Sequence, residues 1–135
     1  MFVDASAMVA ILTEEPAGPA LAKRLAQAAG RATSAIAIWE TVIRLMSKST
    51  LSEEEAYAKI SQFLALSAIK VAAIGRNEAR LATQAFANYG KGRHPAALNM
   101  GDCFAYACAK TNEMPLLYIG NDFSQTDVNA GYEGA

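Results

Sequence analysis

Short apolar runs of strand length alternate with longer segments of helical period along almost the whole chain. That alternation restricts the fold more than any single motif, because strands separated by helices pair in parallel and need cover on both faces. Phe2 and Val3 form an apolar run ending at Asp4, and Ala5 to Leu12 read as a helix. A second helix is expected from about Pro16, a tolerated first-turn proline, through Leu21 and Leu25 to a stop at Gly30. Ala32 to Ser34 can form a brief strand. From Ile36 onward Trp39, Val42, Ile43 and Met46 recur at helical spacing as an apolar stripe, with Glu40 at its edge, bordering the core. Ser52 and Glu55 have capping-box spacing ahead of a helix whose apolar face is Tyr57, Ile60, Phe63 and Leu64. Lys70 to Ile74 reads as a strand bounded by Gly75. Leu81, Ala82, Ala85, Phe86 and Tyr89 mark a helix stopping at Gly90. A basic loop, Gly90 to Pro95, leads to a helix from Asn99 to Thr111, a late strand from Leu116 to Ile119 and a polar turn from Gly120 to Asp127. The tail at 129–135, with two glycines, is expected to fray.

With 135 residues, 53% of them hydrophobic, the chain can bury one core and is too short for two, so 1–135 reads as a single domain. The formal net charge of −1 supplies no global attraction to nucleic acid; any RNA contact must come from a local basic patch. Cys103 and Cys108 have neither redox nor zinc spacing and are too few for a disulfide framework, which fits a reducing cytoplasm. No apolar run approaches the ~20 residues of a membrane span, and the acidic start is unlike a signal peptide.

Four acids, two at strand or helix ends, one at a core border and one after the last strand, could meet at the carboxyl edge of a parallel sheet, where open α/β folds place ligands. Asp4 follows the first strand, Glu40 borders a core stripe, Asp102 opens a late helix, and Asp122 follows the last strand. Each has an ordinary explanation. Asp4 can be a helix N-cap, Asp102 the third residue of a helix capped by Asn99, Glu40 a rim acid pairing with Arg44, and Asp122 turn chemistry. Together they allow a different one. Clustered carboxylates repel, and either protonation or a divalent cation relieves the repulsion. An all-oxygen site favours Mg²⁺ or Mn²⁺, ions that keep waters and suit phosphodiester hydrolysis. His94 is the only histidine, so a two-imidazole nuclease cannot be built within one chain, and no glycine-rich phosphate loop is present. Lys91, Arg93 and His94 form a basic cluster able to hold a phosphate backbone, or a solvated loop. Ser6, just beyond Asp4, can orient a ligand or a water through its hydroxyl.

The opening Met1-Phe2-Val3-Asp4-Ala5-Ser6-Ala7, the stretch from Arg93 to Ala109 and the closing Gly120-Asn121-Asp122-Phe123-Ser124-Gln125-Thr126-Asp127 together resemble PIN-domain ribonucleases, most closely toxins of the VapC type. The resemblance implies a three-layer α/β/α sandwich around a parallel sheet. It implies that Asp4, Glu40 and Asp102 hold Mg²⁺, with Mn²⁺ as a substitute, for hydrolysis of RNA to 5′-phosphate and 3′-hydroxyl ends. Asp122 is the nearest match to the family's fourth acid, which often stands where this chain has Gly120; Asp127 is a weaker candidate. Ser6, Arg93 and His94 would meet the substrate. The resemblance further implies a cognate antitoxin and a homodimer. Two other readings compete. A receiver-like phosphoacceptor domain expects an aspartate after a middle strand and a lysine after a late one, and Lys70-Val71 has no aspartate behind it. The other is a catalytically inactive PIN scaffold, against which the three leading acids speak.

Overall fold

In a computed structural model that describes residues 1–128, 130 and 131, four very short strands form one all-parallel sheet. They are β1 (Phe2–Val3), β2 (Ala32–Ser34), β3 (Lys70–Ala72) and β4 (Leu116–Leu117), in the order β3-β2-β1-β4. Phe2 lies level with Ala32 on one side and Leu116 on the other, so the first strand is central and its end opens into the middle of the sheet's carboxyl edge.

Strand alternation sends neighbouring side chains to opposite layers. Phe2 and Leu116 join the core with α5 (Arg76–Tyr89) and α6 (Met100–Thr111), where Ala82, Ala85, Ala105 and Cys108 are buried. Val3 and Leu117 pack on the other face against α1 (Ala5–Leu12) and α2 (Gly18–Ala26), through Met8, Leu21 and Leu25. That layer extends through α3 (Ala35–Lys48) and α4 (Glu53–Leu66), joined by Val42, Leu45, Ala56 and Ile60. The result is the expected three-layer α/β/α sandwich. The Ser52–Glu55 capping box forms as anticipated, with reciprocal bonds of 3.1 and 3.0 Å. No helix among the described residues is long and apolar enough to cross a membrane.

Several details differ from the sequence expectations: β3 ends at Ala72 rather than Ile74, Tyr57 of the expected α4 face is exposed, and three further differences are larger. The second helix starts at Gly18, with Pro19 rather than Pro16 in its first turn, and ends at Ala26 rather than near Gly30. The reason lies in the connection: Glu14 adopts a left-handed φ of 55° and the Glu15 N–H returns to the Ala10 carbonyl, which places Pro16 in a turn. A Cβ on Gly18 would meet the Ala10 oxygen at 2.7 Å, so the two helices approach there as only glycine allows. The late strand also stops early, at Leu117, because the Ile119 N–H is taken by the Ser6 hydroxyl.

The third difference concerns α3. Its buried positions are Ala37, Thr41, Val42 and Leu45, whereas Trp39, Ile43 and Met46 of the expected core stripe are 60%, 41% and 37% exposed. The helix carries two apolar stripes, and the smaller residues face the core because β2 and α1 approach closely there. Of the tail, 129 and 132–135 lie outside the described residues, so the expected fraying falls largely there. Ala130 and Gly131 sit beside Leu116, and the Gly131 N–H donates to the Leu116 carbonyl at 2.6 Å.

Candidate active site

Asp4 is where the central strand becomes α1. Its backbone N–H completes the ladder to the Leu117 carbonyl at 3.0 Å, and its side chain caps the helix. Oδ2 accepts from the Ser6 N–H at 3.0 Å and the Ser6 hydroxyl at 2.6 Å. Ser6 in turn accepts from the Ile119 N–H at 3.1 Å, which ties the end of β4 to the orientation of Asp4. Burial of the carboxylate, only 5% of the residue being exposed, pushes its pKa up despite the bonds from Ser6.

Asp102 is held by the same kind of device. Asn99 caps α6 by accepting from the Asp102 N–H at 2.9 Å, and Asp102 Oδ2 accepts from the Asn99 N–H at 3.0 Å. Capping and ligation are therefore compatible: in both aspartates the cap engages Oδ2 and fixes the rotamer, and Oδ1 has no side-chain donor among the described residues. Glu40 reaches the pair from α3, which packs on α6. Its carboxylate lies directly on the Cα of Gly101, where a Cβ would overlap it. Glycine early in a helix costs backbone entropy; here it makes room for an acid.

Burial, then repulsion from Asp4 and Asp102, pushes Glu40 up to about 7. Burial also raises Asp102 to about 6, with Asp4 and Asp122 adding repulsion and the bond from Asn99 opposing it. Asp4, Glu40 and Asp102 are thus within electrostatic reach of one another, and Asp122, just before the turn Phe123–Gln125, reaches Asp102. Asp127 does not share this setting. It accepts from the Tyr106 hydroxyl at 2.6 Å and pairs with Lys110 at 3.1 Å, which holds its carboxyl below the usual range.

Arg44, one turn beyond Glu40, is the cation that all three leading acids feel. The sequence reading treats it only as a partner for Glu40; its i,i+4 spacing from that acid was the available signal. The sequence signal for Gly101 is a glycine in the first turn of a helix, two residues after the capping Asn99. Arg93 and His94 are built into the α5–α6 connection: the guanidinium lies 5.4 Å from the Phe86 ring centre, and His94 packs edge-on against Tyr89 at 5.2 Å. The charge that acts on the three leading acids is that of Arg44, not of this loop. The two cysteine thiols are buried and pushed up to about 11, unlike nucleophiles.

The donor set suits a hard divalent cation, being all carboxylate, partly desolvated and mutually repelling. Among the described residues no three acidic, histidine or cysteine side chains stand in a ready-made metal cage. Like charges without a counterion hold apart, and Mg²⁺ keeps several waters, so a loosely gathered group remains a suitable host.

Residues 1–129 match the family model described as PIN domain. The chain belongs to the PIN-domain family. Among its relatives, a VapC ribonuclease of Rhizobium meliloti (strain 1021) is 44% identical, covering 94% of this chain and 98% of the relative. A ribonuclease VapC of Mycolicibacterium smegmatis (strain ATCC 700084 / mc(2)155) is 39% identical over 96% and 98% of the two chains. One of Mycobacterium tuberculosis (strain ATCC 25618 / H37Rv) is also 39% identical, over 95% and 91%. The PIN fold and its VapC-type relatives thus match the resemblance drawn from the opening, middle and closing motifs.

Proposed function

We propose that this PIN domain is a divalent-metal-dependent endoribonuclease toxin, acting on RNA in the cytoplasm and silenced by a cognate antitoxin. The observation that carries the reading is the convergence of Asp4, Glu40 and Asp102, from three different elements, on the carboxyl edge of the sheet. The relatives named as VapC ribonucleases support the substrate class.

In this reading Asp4, Glu40 and Asp102 hold Mg²⁺ or Mn²⁺, with Asp122 at the periphery. When bound, such an ion supplies charge neutralisation at the scissile phosphate and makes a water acidic enough to attack it. The chain's own residues do the rest. Ser6 and the Asn99 cap keep two carboxylates in fixed rotamers, so little reorganisation is required on binding. Glu40, pushed up to about 7, can hold or release a proton near neutral pH. Arg93 supplies positive charge for more distant phosphates, and His94, whose Nδ1 accepts from the Ala96 N–H at 3.1 Å, supplies a hydrogen-bond donor at Nε2. The exposed Trp39, Ile43 and Met46 on α3 offer apolar surface to an antitoxin or to a second copy in a homodimer.

The test is cleavage of a mixed RNA pool by purified protein with Mg²⁺, with Mn²⁺ and with EDTA, alongside expression in cells with and without the neighbouring gene product. Metal-dependent cleavage and growth arrest relieved by co-expression are expected. Metal-independent cleavage would remove the metal from the reading, and absence of any cleavage would leave an inactive binding scaffold.

A further inference from the structure

Next to the acid group is a cavity of about 330 Å³ whose polar wall is Ser6, Glu15, Arg44, Ser47 and Lys48. Ser6 is the wall common to both spaces, since the hydroxyl that lines this cavity also bonds Asp4. Glu40, Arg44 and Lys48 follow one another at four-residue intervals on one face of α3, each step advancing about 6 Å along the axis. The two cations are not equivalent. Lys48 is tied to Glu15 at 2.7 Å, whereas Arg44 has no ion pair and no hydrogen bond among the described residues. An exposed guanidinium beside several carboxylates that bonds none of them keeps its planar fork of donors for an incoming oxyanion. That fork fits a phosphate better than an ammonium does. A chain with a formal net charge of −1 needs such local attraction to hold a polyanion over an acidic site.

We propose that this cavity seats a backbone phosphate of the RNA next to the one cleaved, with Arg44 gripping it and the Lys48–Glu15 pair closing its far side. The substrate strand then runs along α3 across the acids. This rests on the ribonuclease reading, and the experiment separates the two. Binding of a 5′-labelled single-stranded oligoribonucleotide is followed by fluorescence anisotropy in an Asp102→Asn background, with and without Arg44→Gln. Losing one charge-assisted phosphate contact raises Kd about tenfold, and it makes the dependence of log Kd on log salt shallower by about 0.7 for a single strand. Arg44→Lys restores the salt slope but only part of the affinity, and Lys70→Gln, on the edge strand, leaves both unchanged. With all acids intact and Mg²⁺ saturating, Arg44→Gln raises KM by a larger factor than it lowers kcat, the smaller loss reflecting the charge it lends to the acids. An Arg44→Gln protein with unaltered Kd and slope, or one that loses kcat at constant KM, overturns the proposal while RNA cleavage by the parent keeps the ribonuclease reading standing. A parent that neither binds nor cuts RNA removes both.

Discussion

Asp102 opens α6 and Asp127 bonds its later turns, in opposite circumstances. Asp127 has a phenol and an ammonium as partners, sits at the surface and is more acidic than usual. Asp102 is partly buried, faces other carboxylates, has only its cap to bond, and is less acidic than usual. The first arrangement is complete in itself and fastens the segment after β4 onto α6. The second is fixed in position yet electrostatically unsatisfied, a condition that structural residues rarely retain and functional ones often do. The contrast distinguishes an acid that holds the fold together from one that waits for a ligand.

The comparison breaks most sharply at the caps. Asp4→Asn and Asp102→Asn keep side-chain size and the cap's acceptor oxygen while removing a charge, so the fold is expected to persist. RNA cleavage should fall by more than about 100-fold, since losing even an outer partner of a metal ligand costs 10- to 100-fold. Circular dichroism and a cleavage assay on the same samples check this; loss of cooperative unfolding would show that these acids serve as caps alone. Gly101→Ala sharpens the point without touching an acid. The new methyl takes the space of the Glu40 carboxylate, which swings away because it is the end of a flexible side chain. Stability should stay level or rise by about 0.5–1 kcal/mol from helix propensity, while activity drops about tenfold or more, as displaced catalytic groups do. An active Gly101→Ala enzyme would show that Glu40 does not need this seat.

Further along α6, Asp127→Ala should reverse the pattern. It strands the Tyr106 hydroxyl and releases Lys110, costing about 1 kcal/mol, and leaves kcat and the metal requirement unchanged. Urea denaturation with parallel kinetics checks it, and lost activity at undiminished stability would move Asp127 into the site.

The sandwich was legible because its signals are local: short apolar runs alternating with segments of helical period, Ser52 with Glu55, and the first strand ending at Asp4 survive in any context. Asp4, Asp102 and Asp122 were legible as candidates because each sits at an element boundary, and Glu40 because it borders an apolar stripe. What local patterning could not convey was which apolar stripe of α3 turns inward. Trp39, Ile43 and Met46 are at least as hydrophobic as Ala37 and Thr41, and only the closeness of α1 and β2 selects the smaller set. The role of Gly101 is likewise a three-dimensional fact, created by a side chain sixty-one positions away in sequence. Asp127 and Asp122, five residues apart in one polar turn, could be separated only by what α6 presents to each.

The smallest expected effect is on the pH dependence of stability, and it tests the contrast without any substrate. In metal-free protein Glu40 is raised from 4.5 to about 7 and Asp102 from 3.8 to about 6. Across that window the unfolded chain has released protons that the folded chain retains, so stability is highest near the lower limit and declines as pH climbs towards about 7. Asp127 works with the opposite sign, because its lowered pKa stabilises above the ordinary aspartate value and loses its effect only as pH falls below it. The two acids therefore act in different ranges. Thermal unfolding in EDTA should show Tm falling from pH 5 to pH 8, and millimolar Mg²⁺ should flatten the decline by taking the place of the protons. Glu40→Gln should remove the larger part of the slope, being permanently neutral. A Tm that rises through this window, or a slope indifferent to both Mg²⁺ and Glu40→Gln, would mean that the acids at the start of α6 are as well satisfied as Asp127 is further along it.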